Sequence, residues 1–240
     1  MPAPLLAVDN IAKRFGGITA LDGVSLTVQR GEIYGLIGPN GAGKTTTLRG
    51  IIGLNRPLAG SIEWEGRDLA GRPAHERAHA GIALVPEGRH VFPQLSVLEN
   101  LDVAARATGR RGASVRDRVK QSMERFPRLE SRRSQLAGLL SGGEQQMLAI
   151  ARALVQEPRL LMIDEMSLGL APVVYEAVGD AVRQLVREGL AVLLVEQNAA
   201  LAMDICDRGY LMAGGQILLQ GSVEEMKHED AVQSLYFGAA

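Results

Sequence analysis

The sequence predicts an α/β fold in which a mainly parallel sheet carries helices on its faces, with an antiparallel β region and an inserted α-helical lobe. Three observations favour this fold. Short apolar runs typical of strands alternate with stretches of helical spacing in both the first and the last third of the chain. One such run leads directly into a glycine-rich loop, and the middle of the chain is helix-like throughout. Alternation of strands and helices is typical of parallel sheets.

The predicted strands are separated by turn-forming pairs such as Asp22-Gly23 and Arg30-Gly31. Helical spacing follows Lys44 and returns across residues 173–188. The runs predicted as strands are residues 5–15, 25–29, 33–37, 61–64, 82–85, 160–163, 192–195, 210–213 and 216–219.

The chain of 240 residues, 46% of them hydrophobic, is long enough for one sizeable domain with a full core. Residues 97–107, 114–126 and 142–156 are helix-like and rich in arginine. We therefore predict a single domain over residues 1–240, with a core formed by 1–88 and 157–240 and a helical lobe, 89–156, inserted into it.

The charge balance argues against nucleic acid as a partner. The formal net charge is −1, whereas phosphate neutralisation needs clustered lysine and arginine. The arginine-rich stretch at residues 106–118 lacks interleaved aromatic residues, so we expect a solvated helix–loop face there.

The sequence predicts a cytoplasmic chain whose role at a membrane comes through a partner. Its apolar runs, such as residues 190–195, are far shorter than the roughly 18 residues that span a bilayer. The N-terminal residues lack the basic start of a signal peptide. The single cysteine, Cys206, cannot form an intrachain disulfide and is expected to be an inert buried thiol.

Residues 38–45, GPNGAGKT, match the phosphate-binding pattern G-x-x-x-x-G-K-[ST], between a predicted strand and a predicted helix. The glycines let successive backbone N–H groups point inward, and the helix adds its positive N-terminal end. Lys44 is expected to reach the β and γ phosphates of a nucleotide, and the Thr45 hydroxyl to ligate Mg²⁺. A flexible glycine turn is the alternative. The candidate binding residues here are Gly38, Asn40, Gly41, Gly43, Lys44, Thr45 and Thr46.

An acidic pair follows the apolar run at residues 160–163. Asp164 and Glu165 would emerge at the carboxyl end of a buried strand, where α/β sheets bind ligands. We expect Asp164 to hold Mg²⁺, directly or through water, and Glu165 to act as general base on the attacking water. Alone, such a pair would be an ordinary strand end. Together with the phosphate-binding loop it predicts hydrolysis of a nucleotide.

Residues 140–146, LSGGEQQ, open a predicted helix and offer a second anion-binding N-terminus, or simply a helix cap. In order with the two motifs above, they make almost the whole chain resemble the ABC ATPase family of P-loop NTPases. The resemblance implies ATP and Mg²⁺ as cofactors and a head-to-tail dimer. Each ATP would then lie between one chain's phosphate loop and the other chain's Ser141, Gly142, Gly143 and Glu144. Phe15 matches the aromatic position that stacks on adenine, although a core aromatic at a strand end is the alternative.

The chain departs from the family pattern at four positions. Glu87 stands where the family usually has Gln; it could ligate Mg²⁺ but adds negative charge. Gln197 stands where many relatives have a His that contacts the γ phosphate. Met166 and Ala171 replace the usual Pro and Asp. We expect these changes to affect hydrolysis rather than binding. The candidate catalytic residues are Glu165, Gln197 and Lys44, and the candidate metal ligands are Thr45, Asp164 and Glu87.

The segments PEGRHVFPQLSVLENL, SLGLAP and VEQN resemble the LivF-type ATPase subunits of branched-chain amino-acid importers. The resemblance implies a second ATPase subunit, identical or different, and transmembrane permease subunits that hold this chain on the cytoplasmic side of the inner membrane. A separate binding protein would deliver the solute. A groove near residues 87–100 would receive a permease helix. The alternatives are the ATPase of a urea or short-amide importer, a non-transport ABC ATPase, and a regulatory module that binds ATP without turnover.

Overall fold

Two sheets form the framework of residues 3–107 and 113–229, the part of the chain that the computed structural model describes. Four strands pair antiparallel in the order β2-β1-β4-β5, and six form the second sheet in the order β10-β9-β3-β8-β7-β6. The strands are β1 (Leu6–Phe15), β2 (Ile18–Val28), β3 (Ile33–Ile37), β4 (Ala59–Trp64), β5 (Arg67–Asp68), β6 (Ile82–Val85), β7 (Leu160–Asp164), β8 (Ala191–Glu196), β9 (Arg208–Ala213) and β10 (Gln216–Ser222).

The second sheet is parallel except where β10 pairs with β9. The predicted α/β fold, with a mainly parallel sheet and an antiparallel β region, is thus confirmed. The helices are α1 (Lys44–Ile51), α2 (Ala74–His79), α3 (Val97–Arg106), α4 (Ala113–Glu124), α5 (Pro127–Glu130), α6 (Gly142–Leu154), α7 (Pro172–Arg187), α8 (Ala199–Ile205) and α9 (Val223–Met226), with a 3-10 turn at Ala137–Leu139.

The parallel sheet separates two apolar cores, because successive side chains of a strand point to opposite faces. On β3, Ile33 and Ile37 pack with the apolar side chains of α3–α8, whereas Tyr34 and Leu36 pack with those of the antiparallel sheet and α1. Every residue of β3, β7 and β8 is buried. Their carboxyl ends therefore sit at fixed positions along one edge of the sheet.

The helices α3–α6 lie between β6 and β7 along the chain, and α6 packs against α3, β6 and α7. Their apolar side chains belong to the same cluster as those of the parallel sheet. The helical lobe thus shares its core with the sheet. The division of the chain at residues 89 and 156 stays a prediction.

The second strand differs from the prediction. It begins at Ile18 rather than at residue 25, because Asp22-Gly23 does not end it. The register with β1 shifts between Ile11, which faces Val24, and Lys13, which faces Leu21. A bulge at Asp22-Gly23 absorbs the one extra residue of β2, so the chain continues as a strand where a turn was expected.

Helix α2 and strand β5 have no counterpart among the predicted elements. The buried guanidinium of Arg77 on α2 donates to the carbonyl oxygens of Gly50 and Ile51, at 3.0 and 2.8 Å, and to that of Leu69, at 2.9 Å. The bonds to Gly50 and Ile51 supply donors to carbonyl groups in the last turn of α1, where N–H partners from further along the helix are missing. Arg77 therefore anchors the helix that follows the phosphate-binding loop.

The arginine-rich stretch was expected to be a solvated face, and for Arg118 this expectation is wrong. Residues 108–112 lie outside the described residues, but Arg118 is buried, donates to the carbonyl of Val155 at 2.8 Å and pairs with Glu157. Cys206 is a buried free thiol whose pKa is raised by burial, as expected. None of the helices in residues 3–107 and 113–229 is both long and apolar enough to cross a bilayer.

Candidate functional site

The phosphate-binding loop joins β3 to α1, and two of its glycines are required by close packing. A Cβ at Gly38 would lie 2.1 Å from the carbonyl oxygen of Met212, and one at Gly43 would lie 2.6 Å from that of Ala20. Gly43 is the N-cap of α1 with φ 108°, a conformation that L-residues rarely adopt, and it offers no side-chain cap. The first N–H groups of α1 therefore stay available to an anion.

Lys44 folds back over its own loop. Its side chain is 5% exposed, and its ammonium donates to the carbonyl oxygens of Gly38 at 2.8 Å and Pro39 at 3.1 Å. The Oε1 atom of Glu165 lies 3.9 Å from Nζ. Burial lowers the pKa of Lys44, and the nearby carboxylates of Glu165 and Asp164 oppose that shift. A phosphate oxygen at this position would compete with the loop carbonyls for the ammonium.

Asp164 ends β7 beside the first turn of α1. Thr45 Oγ1 donates to Asp164 Oδ1 at 3.3 Å, and Asp164 is 4% exposed. Burial raises the pKa of Asp164, and the hydrogen bond from Thr45 lowers it again in part. A hydroxyl and a carboxylate at this spacing are the hard oxygen ligands that Mg²⁺ prefers. Residues 3–107 and 113–229 contain no group of three or more His, Cys, Asp or Glu that could hold a metal ion.

Glu165 has left-handed backbone geometry, with φ 49°, directly after β7. Its N–H donates to the carbonyl of Val195 on β8 at 2.9 Å, which holds this conformation. An L-residue pays about 1 kcal/mol for it, and such residues occur at functional sites. The Glu165 side chain is 17% exposed, facing Lys44 across the cleft.

A cleft of about 590 Å³ opens at the phosphate-binding loop. It brings together predicted residues from four separate segments of the chain: Asn40, Gly41, Gly43, Lys44, Thr45, Thr46, Glu87, Glu165 and Gln197. Gly38 and Asp164 are not part of this lining, but Gly38 accepts a hydrogen bond from Lys44 and Asp164 accepts one from Thr45. The prediction missed Ile18, Thr19, Ala20 and Leu168, which also line the cleft. No local signal pointed to the first three, because residues 16–24 were expected to be a turn region.

Phe15 lies at the end of β1, outside the described lining of the cleft. Its ring is 47% exposed, and the Lys13 ammonium lies 5.4 Å from the ring centroid. Its cross-strand partner is Ile18, which does line the cleft. Phe15 is therefore a rim residue rather than a core aromatic.

Ser141 and Glu144 form a capping box at the start of α6. Ser141 Oγ accepts from the Glu144 N–H at 3.4 Å, and the Ser141 N–H donates to Glu144 Oε2 at 2.9 Å. Arg132 also pairs with Glu144, at 2.8 Å. In the single chain these residues cap a helix of the lobe and lie outside the described lining of the cleft. Gly142 and Gly143 follow in the first turn.

Glu196, which sequence reasoning left without a role, is 1% exposed at the end of β8. Its carboxylate accepts from the Ser167 N–H at 2.8 Å and from the Ser167 hydroxyl at 2.7 Å. Burial raises the pKa of Glu196 to about 6, although the Ser167 bonds oppose the shift. This carboxylate ties the loop after Glu165 to the strand that precedes Gln197.

A glycine-rich loop on a helix N-terminus, with an acidic pair at the end of a neighbouring parallel strand, defines the P-loop class of nucleoside triphosphatases. The family description "ABC transporter" matches residues 21–167, which include the loop, the LSGGEQQ motif and the acidic pair. The chain belongs to the ABC transporter family and is an ATP-binding, ATP-hydrolysing subunit of a transporter. The resemblance noted in the sequence is thus confirmed.

Two curated relatives align over nearly the whole chain. The high-affinity branched-chain amino acid transport ATP-binding protein BraG of Pseudomonas aeruginosa is 44% identical, covering 98% of this chain and 100% of the relative. The lipopolysaccharide export system ATP-binding protein LptB of Haemophilus influenzae is 34% identical, covering 98% of this chain and 97% of the relative. Its relatives thus include a subunit of an export system as well as a branched-chain amino acid transport protein.

Solved structures share the whole fold. The ADP conformation of MJ1267, an ATP-binding cassette of an ABC transporter, superposes with a TM-score of 0.88 at 28% identity, covering 99% of this chain and 100% of that one. A dimeric post-hydrolysis state of the cassette MJ0796, bound to ADP and Pi, superposes with a TM-score of 0.79 at 25% identity over 91% and 98% of the two chains.

Proposed function

We propose that this subunit powers a membrane importer of branched-chain amino acids. The observation that carries the proposal is the full-length identity with BraG, which exceeds that with the lipopolysaccharide exporter subunit by ten percentage points, 44% against 34%. Fold does not fix cargo, since one fold serves many functions. The proposal for the cargo therefore rests on sequence similarity, whereas the proposal for the chemistry rests on the cleft.

The cleft residues support the following roles in hydrolysis. Backbone N–H groups of the loop that carries Gly38, Asn40, Gly41 and Gly43, and those of the first turn with Lys44, Thr45 and Thr46, bind the phosphates. When ATP binds, the Lys44 ammonium exchanges its hydrogen bonds to the carbonyl groups of the loop for hydrogen bonds to phosphate oxygens. Thr45 and Asp164 hold Mg²⁺, which would neutralise developing charge on the phosphates. Glu87, at the edge of the cleft, is a further candidate ligand.

Glu165 orients and deprotonates the attacking water, because its carboxylate faces the cleft on a backbone fixed by β8. Gln197 enters the same cleft from the end of β8 and offers an amide to the γ phosphate, without the charge of a histidine. Intact Lys44, Asp164 and Glu165 favour turnover over a module that only binds ATP.

The proposed working unit is a head-to-tail pair of ATPase subunits, either two copies or two different chains. Ser141, Gly142, Gly143 and Glu144 would face the partner's ATP, while Phe15 stacks on the adenine of the chain's own ATP. Two apolar side chains beside the loop after Glu165 are unusually exposed, Leu168 at 50% and Val173 at 70%, and a partner subunit would cover them.

The permease would dock on the helical lobe. Among the described residues, five apolar side chains are exposed on or beside it: Phe92, Leu98, Val103, Leu136 and Leu139. The Ser96–Leu136 bridge brings their two segments together. Docking of the apolar face of an amphipathic helix on an apolar surface is a common mode of recognition. The chain would thereby sit on the cytoplasmic side of the inner membrane, held there by permease subunits that receive solute from a separate binding protein.

Uptake measurements test the cargo. Cells lacking the gene should lose uptake of labelled leucine and recover it with the wild-type chain but not with Glu165→Gln. Loss of urea uptake alone would assign the chain to an amide importer. Loss of lipopolysaccharide from the cell surface, with both uptakes intact, would assign it to an exporter. No change in any of the three would contradict a transport role in these systems.

A further inference from the structure

The guanidinium of Arg89 joins two segments that the motifs place in different parts of the site. Nη1 donates to Gln145 Oε1 on α6 at 3.3 Å, and Nη2 donates to the carbonyl of Leu168, in the loop after Glu165, at 3.0 Å. Arg89 itself follows β6, in the same loop as Glu87. One side chain therefore spans three segments that are distant along the chain.

Two glycines lie against this guanidinium. A Cβ at Gly142 would lie 3.2 Å from both Nη1 and Nη2, tighter than most contacts that real Cβ atoms make. A Cβ at Gly169 would lie 3.5 Å from Nη2, an ordinary van der Waals contact, and the backbone there has a φ of 67°. The guanidinium is thus enclosed between the start of α6 and the loop at Leu168.

The backbone at residues 88–90 has left-handed geometry and is held in place by a side chain of α6. Gly88, Arg89 and His90 have φ of 78°, 67° and 48° in succession, a conformation that costs an L-residue about 1 kcal/mol. Arg152 on α6 donates to the His90 carbonyl at 2.5 Å, and its guanidinium carbon lies 4.6 Å from the centroid of the Phe92 ring. Helix α6 and this loop therefore hold each other through two arginines that reach in opposite directions.

We propose that Arg89 is a positioning residue that fixes the start of α6, which would face the partner subunit's ATP, relative to the loop after Glu165, which lines the chain's own cleft at Leu168. This inference rests on the head-to-tail pair of the proposed function. Two binding segments that must act together in the closed pair do so better when they are fixed relative to each other beforehand, because less freedom is lost on closure. Arg89 lies outside the phosphate-binding loop, so it should act on closure and turnover rather than on the first binding of ATP.

Steady-state hydrolysis and dimer formation of the full chain, together with the subunit it pairs with, test this role. Arg89→Gln should lower kcat by about tenfold to a hundredfold while ATP binding to the single chain changes less than about twofold. ATP-driven pairing, measured in the Glu165→Gln background, should weaken in parallel. Arg89→Lys should behave like Arg89→Gln, since one ammonium cannot reach both acceptors at once. Arg116→Gln, at an exposed arginine on α4, is the matched control.

A double-mutant cycle tests whether Arg89 affects kcat through its contact with Gln145. Arg89→Gln and Gln145→Ala together should lower kcat by less than the product of the single effects, because both remove the same contact. Wild-type kcat and pairing in Arg89→Gln would overturn the proposal, as would a loss of ATP binding and thermal stability that accounts for the whole effect. If Glu165→Gln with Arg89 intact failed to pair in the presence of ATP, the head-to-tail dimer of the proposed function would be contradicted. The comparison of kcat between the wild type and Arg89→Gln would still show whether Arg89 contributes to turnover.

Discussion

The hydroxyl of Thr45 donates to Asp164 across 3.3 Å, joining the first turn of α1 to the end of β7. Both oxygens are proposed Mg²⁺ ligands, and the fold brings them within hydrogen-bonding distance of each other. Thr45→Val should raise the Mg²⁺ concentration needed for half-maximal hydrolysis by about tenfold or more. A magnesium titration of ATPase activity measures this.

Thr47→Val is the matched control, because Thr47 lies on the same helix but is buried and donates to the Gly43 carbonyl at 3.1 Å. Its magnesium requirement should stay at the wild-type value. An unchanged requirement in Thr45→Val would remove Thr45 from the metal site.

Lys44→Ala should abolish measurable ATP binding. Among the described residues that line the cleft, Lys44 alone is cationic, while Glu87 and Glu165 are acidic. Without the ammonium two carboxylates would face the phosphates, so affinity should fall by about a hundredfold or more. Titration with a fluorescent ATP analogue measures the change, and Lys120→Ala, on the exposed surface of α4, should bind as the wild type does. Near-normal affinity in Lys44→Ala would mean that backbone N–H groups suffice.

Glu165→Gln should retain ATP binding and lose turnover by about a hundredfold or more, because an amide cannot accept the proton of the attacking water. ATP should then trap the closed pair of subunits, visible as a shift in elution on size-exclusion chromatography with ATP and its absence with ADP. Full activity in this variant would contradict the assignment of Glu165 as general base.

Stability should depend on pH through Glu196. Burial raises the pKa of Glu196 from 4.5 to about 6, so the folded protein holds a proton that the unfolded chain has released between these values. Its contribution to the free energy of unfolding is therefore present below pH 4.5 and is lost as pH rises through 6, by about 2 kcal/mol in total. Wild type should lose this amount relative to Glu196→Gln between pH 4 and pH 7 in denaturant titrations.

Glu63→Gln, at an exposed glutamate on β4, should run parallel to the wild type over the same range. A constant difference between the wild type and Glu196→Gln across this range would show that the carboxylate titrates at its ordinary value in the folded protein.

Most of what could be predicted lies in contiguous runs of residues. The loop at residues 38–45 and the pair Asp164 and Glu165 were expected at strand ends, and the structure places them there. Their chemistry depends on backbone conformation and on the strand immediately before them, both of which a short stretch of sequence specifies. For the same reason the strands β3, β6, β7 and β8 were predicted nearly to the residue, since each is a short apolar run buried on both faces.

The remainder depends on contacts between segments far apart along the chain. Residues 18–20 line the cleft because β2 continues through a bulge and brings Ala20 against Gly43. Arg118 is buried because α4 packs beside Val155, and Glu196 is bound by Ser167 from another strand end. Local patterns indicate which residues favour a strand, a helix or a phosphate. They do not indicate which distant groups fill a space, because that is set by close packing of the whole fold.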